Sequence, residues 1–440
     1  MIFEQLIYTD LGCASYLVGC QQVNEAIVVD PALDTRSLMR ALEYHKAKLV
    51  GVIETHTHAD HISGHGALAL ELGIPVYVSA LAGAEHEHIG LKDGDSVHVG
   101  NIELKAMHTP GHRPEHIAVQ VIDHTRSDEP WLVLTGDSLF VGDVARPDLA
   151  VDGQEGAAVL YSTIQERLLK LDDGVEIFPG HVAGSLCGRG MSAKPSTTLG
   201  FERRFNDMLQ PMGEDAFVAA ANAGLASKPP ILGRIVDANR GPLVARPSLP
   251  QHLDALPTDG PLLDVRATAD VVHGTVPGAY HVPVNQTGFG TRAGFLLDPD
   301  VPTTIIADDE AQAEHAARAL QAIGHFTQRG WVRAGDADLS QLLPALSVDE
   351  FLAVRADVQI IDVRNPDETP AVLAGAVQIP LHDLHTASLD GLDPSRRTAV
   401  ICQSSARSGI GASVLAVRGF TDVHPVIGGG MGSPQFAVAV

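Results

Sequence analysis

Residues 55 to 65 read THTHADHISGH, which sets four histidines and one aspartate into eleven positions. Imidazole and carboxylate are donors that zinc, iron and manganese accept, and no cysteine lies inside the cluster, so a soft thiolate metal is not indicated. Extended backbone aims alternate side chains the same way. His56 and His58 can therefore converge on one point, with Asp60 and His61 serving a second beside it. Three later segments add donors of the same kind: HTPGH ending at His112, LTGD ending at Asp137 and IFPGH ending at His181. One histidine alone reads as a turn or surface residue. Seven ligand-type side chains at the ends of apolar runs read as a site for one metal ion or two.

A second chemical group lies near the C-terminus, in AVICQSSARSGIG. An apolar run delivers Cys402 into a short loop, Arg407 follows five positions later, and Ser408 opens an Ala-rich helix pattern. Such a loop turns backbone N–H groups inward and the helix N-terminus adds positive potential, which favours the thiolate. Arg407 adds a full charge.

Rigid elements must hold these groups. The first 190 residues alternate short β-branched runs (AIVVD, LVGVIET, PVYVS, HIAVQVI, WLVLTGD, VEIFPGH) with helical patterns such as SLMRALEYHKAK and VLYSTIQERLLKL. Residues 190 to 250 read as a terminal helix pair and then a Pro-rich linker, RGPLVARPSLP, which predicts a boundary near 245. The remainder repeats itself. PLLDVR (261–266) returns as IIDVR (360–364), and VPGAYHVP (276–283) as LAGAVQIP (373–380). Asp308 stands near the place of Cys402 in the first copy, and a carboxylate cannot do the chemistry of a thiolate. Asp264, Arg266, Asp362 and Arg364 are expected to serve the fold. The expected architecture is α/β and multidomain, with domains at 1–245, 246–342 and 343–440.

Composition narrows the partners. At 440 residues and a formal charge of −24 the chain repels phosphate backbones and anionic lipid, so small molecules are expected rather than nucleic acid or membrane. Glu4 and Asp10 interrupt any export signal, no 18 apolar residues run together, and Cys13, Cys20, Cys187 and Cys402 have no framework spacing. A cytoplasmic location is expected, with self-association into a homo-oligomer.

HTHADH, TPGH, GD and PGH, in that order, resemble the metallo-β-lactamase superfamily, an αββα sandwich with metals at one edge of its sheets. GDSLFVGDVARPDL (136–149) is similar to the persulfide dioxygenases, especially the group fused to rhodanese domains. IIDVR with the Cys402 loop resembles the rhodanese sulfurtransferases, although Ser405 and Ala406 depart from the usual Gly-containing centre.

The resemblance implies one Fe(II) per chain held by His56, His112 and Asp137. His58, Asp60, His61 and His181 would then be an unfilled second metal site or an outer shell. Arg146 would meet an anionic part of a thiol cofactor, or pair with Asp143 or Asp148. Cys187 would lie near the substrate entrance, and His116 would be a surface residue. In the last domain Cys402 is the implied nucleophile, Arg407 its catalytic partner and Ser408 a substrate contact, while the first rhodanese-like copy is silent. The implied activity oxidises a low-molecular-weight thiol persulfide with O2 to sulfite and then transfers sulfane sulfur to sulfite, giving thiosulfate. Two other readings remain open on the residues alone: a dinuclear zinc thioester hydrolase of the glyoxalase II type, and a sulfane-sulfur carrier.

Overall fold

The computed structural model describes residues 1–182, 191–225, 228–366, 368 and 373–437. The chain divides into two compact units, Met1–Lys228 with Leu232–Pro247, and Pro229–Ile231 with Ser248–Val440.

The first unit holds two six-stranded sheets. One runs β1 (Ile2–Tyr8), β2 (Cys13–Cys20), β3 (Glu25–Val29), β4 (Lys48–Ile53), β5 (Val76–Ser79) and β6 (Ile89–Leu91), hydrogen-bonded in that order. The other contains β7 (Ser96–Val99), β8 (Ile102–His108), β9 (Ile117–Asp123), β10 (Leu132–Gly136), β11 (Glu176–Pro179) and β12 (Thr197–Thr198), likewise adjacent in sequence order. Successive strand residues face opposite ways, and both faces are apolar here. Val18, Ile27 and Ile53 pack with Leu104, Val119 and Leu134 between the sheets. Val28 and Val52 point outward onto Leu38 and Leu42 of the helix Arg36–His45. Ala118 and Val133 meet Leu160 and Ile164 of the helix Gly153–Glu166. The result is an αββα sandwich.

Two sequence expectations change in detail. The run LVGVIET leaves its sheet after Ile53, because the Thr55 N–H donates to the Asp30 carboxylate at 2.7 Å instead of continuing the ladder. The expected terminal helix pair is three short helices among the described residues, Leu199–Phe205, Glu214–Asn222 and Leu232–Arg240. Gly224 at positive φ and the prolines at 229 and 230 separate the last two.

The second unit contains two four-stranded parallel sheets with the same strand order. In the first, β13 (Leu262–Asp264) lies between β14 (Ala279–His281) and β15 (Thr303–Ala307), with β16 (Gln328–Arg333) beyond β15. In the second, β17 (Gln359–Asp362) lies between β18 (Ala376–Gln378) and β19 (Thr398–Ile401), with β20 (Val423–Pro425) beyond β19. Asp264 and Asp362 are fully buried and each is forked by the arginine two residues on, Arg266 and Arg364. Side chains of both copies form one continuous core, Leu263, Val282, Phe289 and Ala293 with Ile361, Leu384, Cys402 and Ile410. No helix among the described residues is long and apolar enough to cross a membrane.

Candidate metal centre and cysteine loop

Chain segments leaving β4, β8, β10 and β11 converge. His56, His112 and Asp137 are buried, and one donor atom of each lies within 4.8 Å of the others. Each is held by a partner that fixes which atom faces inward. The Thr55 hydroxyl donates to Asp30 at 2.8 Å, so it accepts from His56 Nδ1 at 2.9 Å and leaves His56 Nε2 without a proton. His112 Nδ1 donates to the carbonyl of Arg146 at 3.0 Å, which leaves its Nε2 bare, 3.6 Å from Asp137 Oδ2. Asp137 Oδ2 is buried without a hydrogen-bond partner. Two buried lone pairs facing each other at this distance repel, and a cation between them would relieve the repulsion, so these three residues fit a divalent metal. Burial and the surrounding histidines hold His56 well below the ordinary imidazole range, the direction a neutral ligand needs.

Gly136 lets β10 end at this point. Its φ is +47°, and a Cβ there would meet His116 Nε2 and Thr55 Oγ1, each at 2.7 Å. His116 is not the surface residue expected from sequence. It is fully buried, accepts the Asp137 N–H at 2.9 Å through Nε2 and contacts Thr109 Oγ1 through Nδ1 at 2.8 Å. Burial, then His112, lowers it to about 3, so it stays neutral and keeps that acceptor.

The second group is arranged differently from the sequence expectation. His56 and His58 do not share one ligand set, although their rings are 4.3 Å apart. His58 Nε2 is 3.0 Å from Glu54 and 3.2 Å from Asp30, and these carboxylates outweigh burial to hold it well above the ordinary range. His58 also lies within ligand distance of Asp60 and His61. His181 joins both groups, Nδ1 at 2.8 Å from Asp137 and Nε2 at 2.7 Å from Asp60. A cysteine does enter this cluster. Cys13 opens β2, is bridged to His181, and places Sγ 3.4 Å from Asp60 Oδ2, 3.4 Å from His181 Nε2 and 3.6 Å from His61 Nδ1. Linear distance in the chain hid it.

Asn239 was also missed. From the helix Leu232–Arg240 its amide donates to the carbonyls of His58 (3.0 Å) and His61 (2.8 Å), and its oxygen accepts from Ser63 N–H (2.9 Å). A single asparagine 181 positions from His58 carries no sequence signal of this. Arg146 is buried and forks Asp148 at 2.7 and 2.9 Å, so the ion pair is the arrangement observed, and its carbonyl orients His112. Cys187 lies outside the described residues.

In the second unit, Cys402 is buried directly after β19, and the Arg407 N–H points at Sγ from 3.4 Å. Ser405 holds the loop at φ 74°, a left-handed conformation that explains why glycine suits such a centre. Arg407 is bound at both nitrogens by Glu368, at 2.5 and 2.6 Å, so much of its charge is already answered. Ser408 is fully buried and donates to the Val426 carbonyl at 2.7 Å, so its hydroxyl ties the loop to the fold rather than facing a ligand. Strand register places Ala307, next to Asp308, at the position of Cys402 in the first copy.

The sandwich and its ligand edge define a metallo-β-lactamase fold, and comparisons with known proteins agree. Residues 8–181 match the metallo-beta-lactamase superfamily, and residues 347–432 match the rhodanese-like domain. An uncharacterized protein of Mycobacterium tuberculosis is 31% identical over 46% of this chain and 94% of its own length. The mitochondrial persulfide dioxygenase of Homo sapiens is 32% identical over 41% of this chain and 68% of its own. A metallo-beta-lactamase structure from Staphylococcus aureus superposes with a TM-score of 0.69 at 30% identity, covering 76% of this chain and 98% of that one. The chain belongs to the metallo-beta-lactamase superfamily and carries a C-terminal rhodanese-like domain.

Proposed function

We propose that the protein is a non-haem iron persulfide dioxygenase coupled to a sulfurtransferase, organised as domains 1–245, 246–342 and 343–440. The observation that carries this reading is the presence in one chain of a two-histidine, one-carboxylate group and a buried rhodanese-type cysteine. The likeness to a persulfide dioxygenase supports it. His56, His112 and Asp137 would hold Fe(II), which when bound supplies open positions for a sulfur anion and O2. Thr55, the Arg146 carbonyl and His181 orient the three ligands, and His116 fixes the backbone of Asp137. The net reaction turns a thiol persulfide, O2 and water into the free thiol, sulfite and two protons. Cys402 then takes the outer sulfur of a second persulfide and passes it to sulfite as thiosulfate. A shared chain keeps sulfite near its consumer.

Anaerobically iron-loaded protein should consume O2 with a thiol persulfide, and uptake no greater than that of His56→Ala would refute the first half. Cys402→Ser should shift the product from thiosulfate to sulfite; unchanged thiosulfate would refute the second. A dinuclear zinc thioesterase is favoured by one observation, a second set of donors around Asp60, which lies within ligand distance of His58 and His61 and also of Cys13 and His181. Two zincs per chain with thioester hydrolysis and no O2 uptake would establish that alternative.

A further inference from the structure

The copy that lacks a sulfur-carrying cysteine packs against the helix that follows the Cys402 loop in the copy that has one. The helix Ser408–Val417, whose first turn follows the Cys402 loop, sits on the first copy so closely that a Cβ at Gly409 would lie 2.6 Å from Thr268 Cγ2. Farther along it, Ser413 Oγ accepts the backbone N–H of His281 at 2.9 Å. Phe289 and Ala293 of the short helix Phe289–Gly294 belong to the same core as Cys402 and Ile410.

Arg292 lies between those two core residues and is mostly buried. Its guanidinium donates to the neutral Gln286 amide oxygen at 3.0 Å, and no carboxylate among the described residues pairs with it. Burial and then Arg407 oppose its charge, while Cys402 favours it, so it lies within electrostatic reach of both. Glu368 is engaged by Arg407 at both carboxylate oxygens. A desolvated guanidinium without a counter-ion is costly, and its planar fork suits an oxyanion.

We propose that Arg292 of the silent copy is the oxyanion-binding residue of the Cys402 site, holding sulfite or the sulfonate end of thiosulfate against the cysteine. This rests on reading Cys402 as a sulfur carrier. In the forward step the sulfite sulfur uses its lone pair to bond the outer sulfur of the Cys402 persulfide anion. The inner S–S bond breaks and its electron pair remains on Cys402 as thiolate, so no external oxidant or reductant is needed. Arg292 contributes only position and charge, and the silent copy becomes half of the acceptor site.

The test uses the full chain and two readouts. Sulfite is titrated calorimetrically into Cys402→Ser protein with and without Arg292→Gln. Persulfide on Cys402 is followed by intact mass during loading from thiosulfate or from an uncharged ester of an N-acylated cysteine persulfide. Arg292→Gln should weaken sulfite binding and raise KM for thiosulfate by on the order of tenfold or more. Loading from the uncharged donor should fall much less than loading from thiosulfate, and Arg292→Lys should restore part of the loss. Equal sulfite affinity and equal thiosulfate KM in Arg292→Gln would overturn the proposal while leaving Cys402 as a carrier. Equal losses with both donors would also overturn it, by showing a structural role. If wild-type Cys402 takes sulfur from neither donor, the sulfurtransferase reading fails, and this inference with it.

Discussion

At the residue scale, the candidate metal centre depends on atoms that are fixed before any ligand arrives. His116 shows this most directly, because its Nε2 is the acceptor for a buried N–H of the residue that supplies the carboxylate. Removing it leaves that donor unpaired, at a cost of about 1–3 kcal/mol. His116→Ala is expected to lower metal affinity by roughly 10- to 100-fold, as losses in the shell behind metal ligands do. Metal content after dialysis against graded chelator measures this; retention equal to wild type would show that His116 only fills space.

At the scale of elements, the loop after β19 is held from outside itself by Glu368. Burial alone would raise the Glu368 carboxyl, but Arg407 and the Asn365 backbone outweigh it and hold it below its ordinary value. A depressed folded-state pKa means the contribution to stability is full above the unfolded carboxylate value of about 4.3 and is lost as pH falls through the lowered one. Melting followed by Trp331 fluorescence in a Trp131→Phe background, from about pH 6 to about pH 3, should show this loss in acid. Glu368→Gln should be less stable at the upper end and less pH-dependent below it. A parallel acid limb in both proteins would remove the pair from the account.

At the scale of the whole molecule, the protein concentrates cationic and metal-accepting groups inside a chain of net charge −24. In the proposed sulfur transfer, small oxyanions would approach against that field, and arginines at the site would supply the local attraction. Metal belongs to the first unit alone in this reading. Since a ligand that binds only the folded state stabilises it, chelation should lower the melting of the first unit, reported by Trp131 in a Trp331→Phe background. The Trp331 signal in the reciprocal variant should be unmoved. Equal shifts in both would show that unfolding of the two units is coupled.

The sequence by itself determined the strand-forming runs, the seven ligand-type residues, the repeat and the Cys402 loop, because each is a local pattern; the sandwich was implied by resemblance to a family. Alternating apolar runs make strands, donors follow strand ends, and a repeated hundred-residue pattern folds twice into the same strand order. Tertiary structure decided which donors share a point, separating His56 from His58. It also brought Cys13, Asn239 and His116 to the cluster. Those contacts join residues far apart in the chain, and a side chain used once, at long range, leaves no periodicity or spacing to read.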